Sequence, residues 1–165
     1  ILPNNKNIIL AAEQAAKISD KKIHIIYSKT IPQGITSLMS FNPEMSGEEN
    51  EEVMNETIKS VKSIEITQAV RDTIINGLDI KEGQYIAIAE GEIVFRDNDL
   101  NKSVFESIKK EIDEDSEIVT LYFGEDIDEE AAEELVNELS EIYDEIDFEL
   151  HNGGQPLYPY IISIE

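Results

Sequence analysis

The strongest constraint on this chain is the run Ile118-Val119-Thr120-Leu121-Tyr122-Phe123, six residues that are all β-branched, aromatic or leucine. Such a run, too short for a helix of its own, predicts a buried strand. Ile127, Ala131, Leu135, Leu139 and Ile142 follow at helical spacing and predict a helix from about residue 127 to 143. Ile146 to Leu150 reads as a further strand. A second strand-helix-strand pattern stands at the other end: Ile1-Leu2 reads as the tail of a strand, Ile8, Ala12, Ala15 and Ile18 as a helical stripe, and Ile23 to Tyr27 as a buried strand. Alternation of this kind points to parallel βαβ units near both ends.

The middle has a different period. From Ser63 to Phe95 the pattern is extended, with Tyr85-Ile86-Ala87-Ile88 and Ile93-Val94-Phe95 flanking Glu90-Gly91-Glu92, which predicts antiparallel hairpins. Leu100, Val104, Ile108 and Ile112, each four apart, restore a helix. Between the first unit and the hairpins, Pro32 suits the first position of a short helix carrying Ile35, Leu38, Met39 and Phe41. Polar Glu44 to Asn50, with Gly47, reads as a mobile loop before a helix holding Val53, Met54, Ile58 and Val61. The chain ends on strand, Gly-rich turn from His151 to Pro156, and strand from Tyr160 to Ile164. The expected class is α/β: a mixed sheet with flanking helices, βαβ-type units near both ends and an antiparallel β elaboration in the middle. Residues 1–165 are expected to form one domain fragment of a longer protein, with sub-lobes at about 1–62 and 63–165.

Composition narrows the partners. Thirteen Lys and Arg stand against 36 Asp and Glu, a net charge of −23, so a bare nucleic-acid duplex or an anionic membrane is disfavoured. No apolar run approaches the roughly 20 residues of a transmembrane helix, and the default location is the cytoplasm. Cysteine is absent, which excludes disulfide and thiolate-metal frameworks. No Lys or Arg follows Lys110, while 19 acids lie between Glu111 and Glu165. Glu129, Glu130, Glu133, Glu134, Glu138 and Glu141 fill the arc opposite the apolar stripe of the last helix. That arc reads as a solvated face, as a docking face for a basic protein surface or, as the remainder, as a metal-binding face.

Familiar catalytic patterns fail. Asp97-Asn98-Asp99-Leu100-Asn101 opens like a calcium loop, but Lys102 stands where Gly is needed and Ile108 where a bidentate Glu should sit. Neither phosphate-binding glycine pattern, Gly-x-x-x-x-Gly-Lys-Ser/Thr or Gly-x-Gly-x-x-Gly, occurs. Two histidines cannot make a three-His zinc site, and no metal is expected. His24 reads as a core or sheet-face residue, His151 as structural or site-lining. The donor-rich turn Pro3-Asn4-Asn5-Lys6-Asn7 before the first helix could N-cap it through Asn5 or accept a phosphate or carboxylate. Gly124-Glu125-Asp126-Ile127-Asp128, at the equivalent place in the second unit, would repel an anion. Asn152-Gly153-Gly154-Gln155-Pro156-Leu157-Tyr158 combines flexible glycines, amide groups and tyrosine; it is either a tight connection or a recognition loop.

Four ordered stretches, Leu2-Pro3-Asn4-Asn5-Lys6-Asn7-Ile8, Thr30-Ile31-Pro32-Gln33-Gly34, Ala69-Val70-Arg71-Asp72-Thr73 and Asn152-Gly153-Gly154-Gln155-Pro156, together resemble the carboxyl-terminal region of the bacterial fatty-acid kinase catalytic subunit, one of the dihydroxyacetone-kinase-like proteins. The resemblance spans essentially the whole chain and implies a DegV-related α/β fold. It implies a parent that phosphorylates a fatty acid presented by a separate fatty-acid-binding protein, with ATP and magnesium held by an amino-terminal kinase domain. For this chain it implies no catalysis and no cofactor of its own. The expected role is partner binding, toward the fatty-acid-binding protein and beside the parent's kinase domain, in phospholipid metabolism. The residues expected to make contact are Asn4, Asn5, Gln33, Gly34, Arg71, Asp72, His151, Asn152, Gly153, Gly154, Gln155, Pro156 and Tyr158. The alternative is a lobe of a dihydroxyacetone-kinase-like enzyme that binds a small phosphate or carboxylate at the Asn4-Asn5 turn.

Overall fold

The computed structural model describes residues 1–75 and 77–165, which group into two compact units, Ile1–Val61 and Lys62–Glu165. The first unit is helical: α1 (Lys6–Ile18), α2 (Ile31–Met39), α3 (Gly47–Thr57) and a closing 3₁₀ turn, Ile58–Ser60. The segment Ile23–Tyr27, expected as a strand, forms no strand. Its backbone makes two bonds to Ile1: the Ile1 nitrogen donates to the His24 carbonyl (2.7 Å) and the Ile26 N–H to the Ile1 carbonyl (2.9 Å). The parallel pairing expected of a βαβ unit is thus present at a single residue. With no sheet of its own to cover, α1 buries only Ala12 of the expected stripe; Ile8 is half-exposed and Ile18 is 86% exposed. The small core holds Ile26, Met54 and Ile58, with Leu2 against them.

The expected mobile loop at residues 44–50 is corrected in its second half, where α3 already starts at Gly47. Ser46 and Glu49 form a reciprocal capping box, each side chain bonding the other's backbone N–H, which satisfies donors the first turn would otherwise leave free. Asn50 is buried and donates to the carbonyls of Asn42 and Ser46, tying the preceding loop to the helix.

The second unit holds β1 (Lys62–Gln68), a β2–β3 hairpin (Thr73–Ile75, Leu78–Ile80), β4 (Tyr85–Ala89), β5 (Glu92–Asp97), α4 (Leu100–Glu111), β6 (Ile118–Phe123), α5 (Glu129–Ile142), β7 (Asp147–Asn152) and β8 (Tyr160–Ile164). Six strands form one sheet in the order β5-β4-β1-β8-β6-β7; β2 and β3 form their own. Among the described residues only β6 and β7 pair in parallel, joined through α5; the other pairs are antiparallel. The β4–β5 turn uses Glu90 (φ 49°) and Gly91 (φ 86°), the consecutive positive φ values whose twist suits a two-residue hairpin. Ile64, Ile66, Val119, Leu121, Ile162 and Ile164 meet Val104 and Ile108 of α4 and Leu135 and Leu139 of α5 in one core. The buried face of α5 is rotated from expectation: Ala132 is buried, whereas Ala131 is exposed and Ile142 is 60% exposed. The mixed α/β class stands, and so does the antiparallel elaboration in the middle of the chain.

Candidate functional site

The four stretches that carry the resemblance resolve into two clusters, one in each unit. In the first, Asn5 caps α1, its Oδ1 accepting from the Asn7 N–H at 2.8 Å. Asn4 adopts a left-handed φ of 52°, a conformation Asn tolerates better than most residues. That turn aims its carboxamide at Ser28 and α2: the Asn4 N–H donates to Ser28 Oγ (3.2 Å), and the hydroxyl donates to Asn4 Oδ1 (2.7 Å). Gly34 packs closely beside it: a Cβ there would overlap the Asn4 carboxamide, which would have to shift. Gln33 is buried and bridges the start of α2, accepting from the Lys29 N–H (2.8 Å) and donating to the Val61 carbonyl (3.4 Å). Asn4, Gln33 and Gly34 therefore lock the αL turn to the N-terminus of α2. The oxygens of Asn4 and Asn5 both accept from internal donors, and Asn5 N-caps α1. His24 faces α3 rather than a sheet, its Nδ1 2.5 Å from Glu51 Oε2.

The second cluster sits at the end of β6 and the start of β8. His151 and Asn152, expected on the turn, are the last residues of β7; both are exposed, and the His151 ring stands 5.7 Å from that of Tyr122. Gly153 and Gly154 (φ 59°) donate to one acceptor, the Phe123 carbonyl, at 3.0 and 3.2 Å. Gln155 is the strut. Its Nε2 donates to the carbonyls of Tyr122 (2.8 Å) and Tyr158 (3.1 Å), while its own carbonyl accepts from the Glu125 N–H (3.1 Å). Gly124 passes beneath this loop with no room for a side chain: an added Cβ would stand 2.5 Å from the Tyr158 carbonyl oxygen and 2.7 Å from that of Gln155.

At the tip, the Tyr158 N–H donates to the Pro156 carbonyl (2.9 Å) across Leu157, whose φ is 69°. A γ-turn with positive φ at its centre is strained, and for Leu especially so. The Leu157 carbonyl is anchored by Thr67 Oγ1 at 2.9 Å, and its side chain is 79% exposed. Val70, 86% exposed, lines the same cleft of about 330 Å³ together with Gln68, Glu125, Asp126 and Tyr158. The cleft thus offers exposed apolar side chains on one rim and two carboxylates on another. Burial raises the Tyr158 phenol above its ordinary range, with the Glu65 carboxylate adding to the shift. Arg71 is exposed, and the neighbouring Asp72 is engaged locally, accepting from the Glu82 N–H (2.8 Å) and Lys81 Nζ (3.3 Å). Those contacts hold its carboxyl below the usual carboxylate range.

Sequence reasoning named the Asn152–Pro156 stretch and Tyr158 but missed Thr67, Val70 as a cleft residue, and the strained exposure of Leu157. Among the described residues no three His, Asp or Glu side chains are grouped to hold a metal ion. Nor is any helix there long and apolar enough to cross a membrane.

In fold, the chain is of the DegV type. It superposes on the DegV family protein Cg2579 of Corynebacterium glutamicum with a TM-score of 0.61 at 16% identity, covering 93% of this chain and 68% of that one. The Fatty Acid Kinase (Fak) B3 protein of Streptococcus pneumoniae, whose structure is loaded with linoleic acid, gives 0.59 at 12% identity over 97% and 66%. By sequence, residues 1–165 match the FakA-like carboxyl-terminal family of fatty acid kinase subunits, and the chain belongs to that family. It is 47% identical over its whole length to protein YloV of Bacillus subtilis (strain 168) and 41% identical to an uncharacterized protein of Staphylococcus aureus (strain USA300). The chain spans 30% of the length of each of these relatives.

Proposed function

We propose that this chain is a non-catalytic recognition domain of a fatty-acid kinase, and that it engages the fatty-acid-binding protein that presents the acyl substrate. Phosphoryl transfer from ATP, with magnesium, belongs in this reading to another part of the parent protein. The family membership supports the kinase context. The observation that carries the docking assignment is the Gln155–Tyr158 loop: Leu157 is held in a strained, exposed conformation by hydrogen bonds from both sides, beside exposed Val70. Strain maintained by surrounding bonds at an exposed apolar tip preorganises a contact, which lowers the ordering cost of association. Glu125 and Asp126 on the cleft rim favour a basic surface on the partner.

Titration calorimetry of the chain with a fatty-acid-binding protein from the same organism, at two salt concentrations, tests the assignment. Binding is expected, weaker at high salt, and lowered roughly tenfold or more by Leu157→Ser, the order expected for one buried Leu side chain. Val70→Ser is expected to act in the same direction. Absence of binding, or binding indifferent to both substitutions, contradicts it.

A further inference from the structure

We propose that a second cleft, between β5 and α4, binds an organic anion: a phosphate or carboxylate oxyanion carried on an apolar body, with Arg96 as its chief cationic contact. The cleft encloses about 440 Å³ and shares no residue with the docking cleft. Leu78, Val94 and Phe95 supply apolar wall, and Arg96, Lys102 and Lys110 face it against the two carboxylates of Asp97 and Glu106. An excess of positive charge is unusual in a chain with 36 acids and 13 basic residues.

The three cations differ in what already holds them. Lys102 is paired with Asp97 at 2.5 Å. Lys110 donates to the Val94 carbonyl (2.5 Å) and lies 5.4 Å from the Phe95 ring centre, so neutral groups position it and no carboxylate neutralises it among the described residues. Among the described residues, Arg96 Nε is buried without a hydrogen-bond partner and its guanidinium makes no salt bridge. A buried donor with no acceptor is costly, and a planar fork of donors matches an oxyanion. Apolar wall beside those donors selects an anion with an apolar body over a bare ion.

The test is an amide-detected NMR titration of the chain with phenyl phosphate, benzoate and inorganic phosphate. Phenyl phosphate or benzoate is expected to shift amides of Val94–Asp97 and α4, and the comparison of the two identifies which oxyanion the site takes. Arg96→Met keeps an apolar stem and removes the fork; it is expected to weaken binding roughly tenfold or more. Lys110→Gln, at an exposed position, is the second variant and is expected to weaken the same ligand, while Lys59→Gln on the other unit leaves it unchanged. Unchanged affinity in both cleft variants, or no shift with either aromatic anion, overturns the proposal. Inorganic phosphate binding as tightly as phenyl phosphate overturns the role of the apolar wall.

Discussion

Gln155→Ala is the substitution that most directly probes how the Gln155–Tyr158 loop is held. The carboxamide Nε2 bonds two backbone carbonyls, Tyr122 O on β6 and Tyr158 O beyond the strained Leu157. Each neutral hydrogen bond contributes a net of about 0.5–1.5 kcal/mol, so loss of both costs roughly 1–3 kcal/mol. The half-buried setting of Gln155 lets water reach part of the loop, which favours the lower half of that range. For a chain of this size each kcal/mol moves the melting temperature by about 2–4 °C, so a drop of about 2–8 °C is expected. The chain has no Trp, so far-UV circular dichroism during urea and thermal unfolding is the appropriate readout. Hydrogen exchange localises the effect: the amides of Gly153, Gly154 and Tyr158 are expected to exchange faster, while those of β1 and β8 stay protected. Wild-type stability together with unchanged exchange at Tyr158 would refute the strut role.

Gly34→Ala forces a Cβ into the Asn4 carboxamide, and overpacking of this kind costs about 1–3 kcal/mol. Asn4→Ala in the same chain is expected to relieve part of that cost; strictly additive losses in urea unfolding would show that the two side chains do not meet. Burial raises the Glu65 carboxyl above its ordinary range. Because the folded value lies above the unfolded one, the native state holds the extra proton, and stability falls as pH rises through the interval between them. Glu65→Gln is therefore expected to raise the unfolding midpoint at pH 7, with the advantage shrinking toward pH 4; an advantage that grows on acidification would reverse the sign and contradict the burial argument.

The parts legible in the sequence were those where side-chain period and burial coincide. β6 lies between β8 and β7 with Val119, Thr120, Leu121 and Phe123 buried, so its mostly apolar, β-branched and aromatic run reads directly as structure. Helix α4 was equally plain, since Val104 and Ile108 are fully buried at the expected spacing. Ile18 shows the opposite case: its spacing matches a stripe, yet nothing in a period distinguishes a covered face from an exposed one. The turn from His151 to Pro156 was visible through its glycines, but its start was set by the β6–β7 register, which carries the strand on to Asn152. The strained tip was not legible because Leu is a residue type that rarely takes positive φ; Thr67, 90 residues away, helps to hold it there. Arg96 left only a faint signal, one cation at the end of an apolar strand in an acidic chain.

The central claim is that the Gln155–Tyr158 loop with Val70 forms the docking surface for the fatty-acid-binding partner. Hydrogen exchange of the chain alone and in the presence of saturating partner reads that surface residue by residue. Protection confined to the segment from Gly153 to Tyr160 and to the residues around Val70 is the expected result. Protection that falls instead on the exposed acidic face of α5, or no protection at saturating partner, would contradict it.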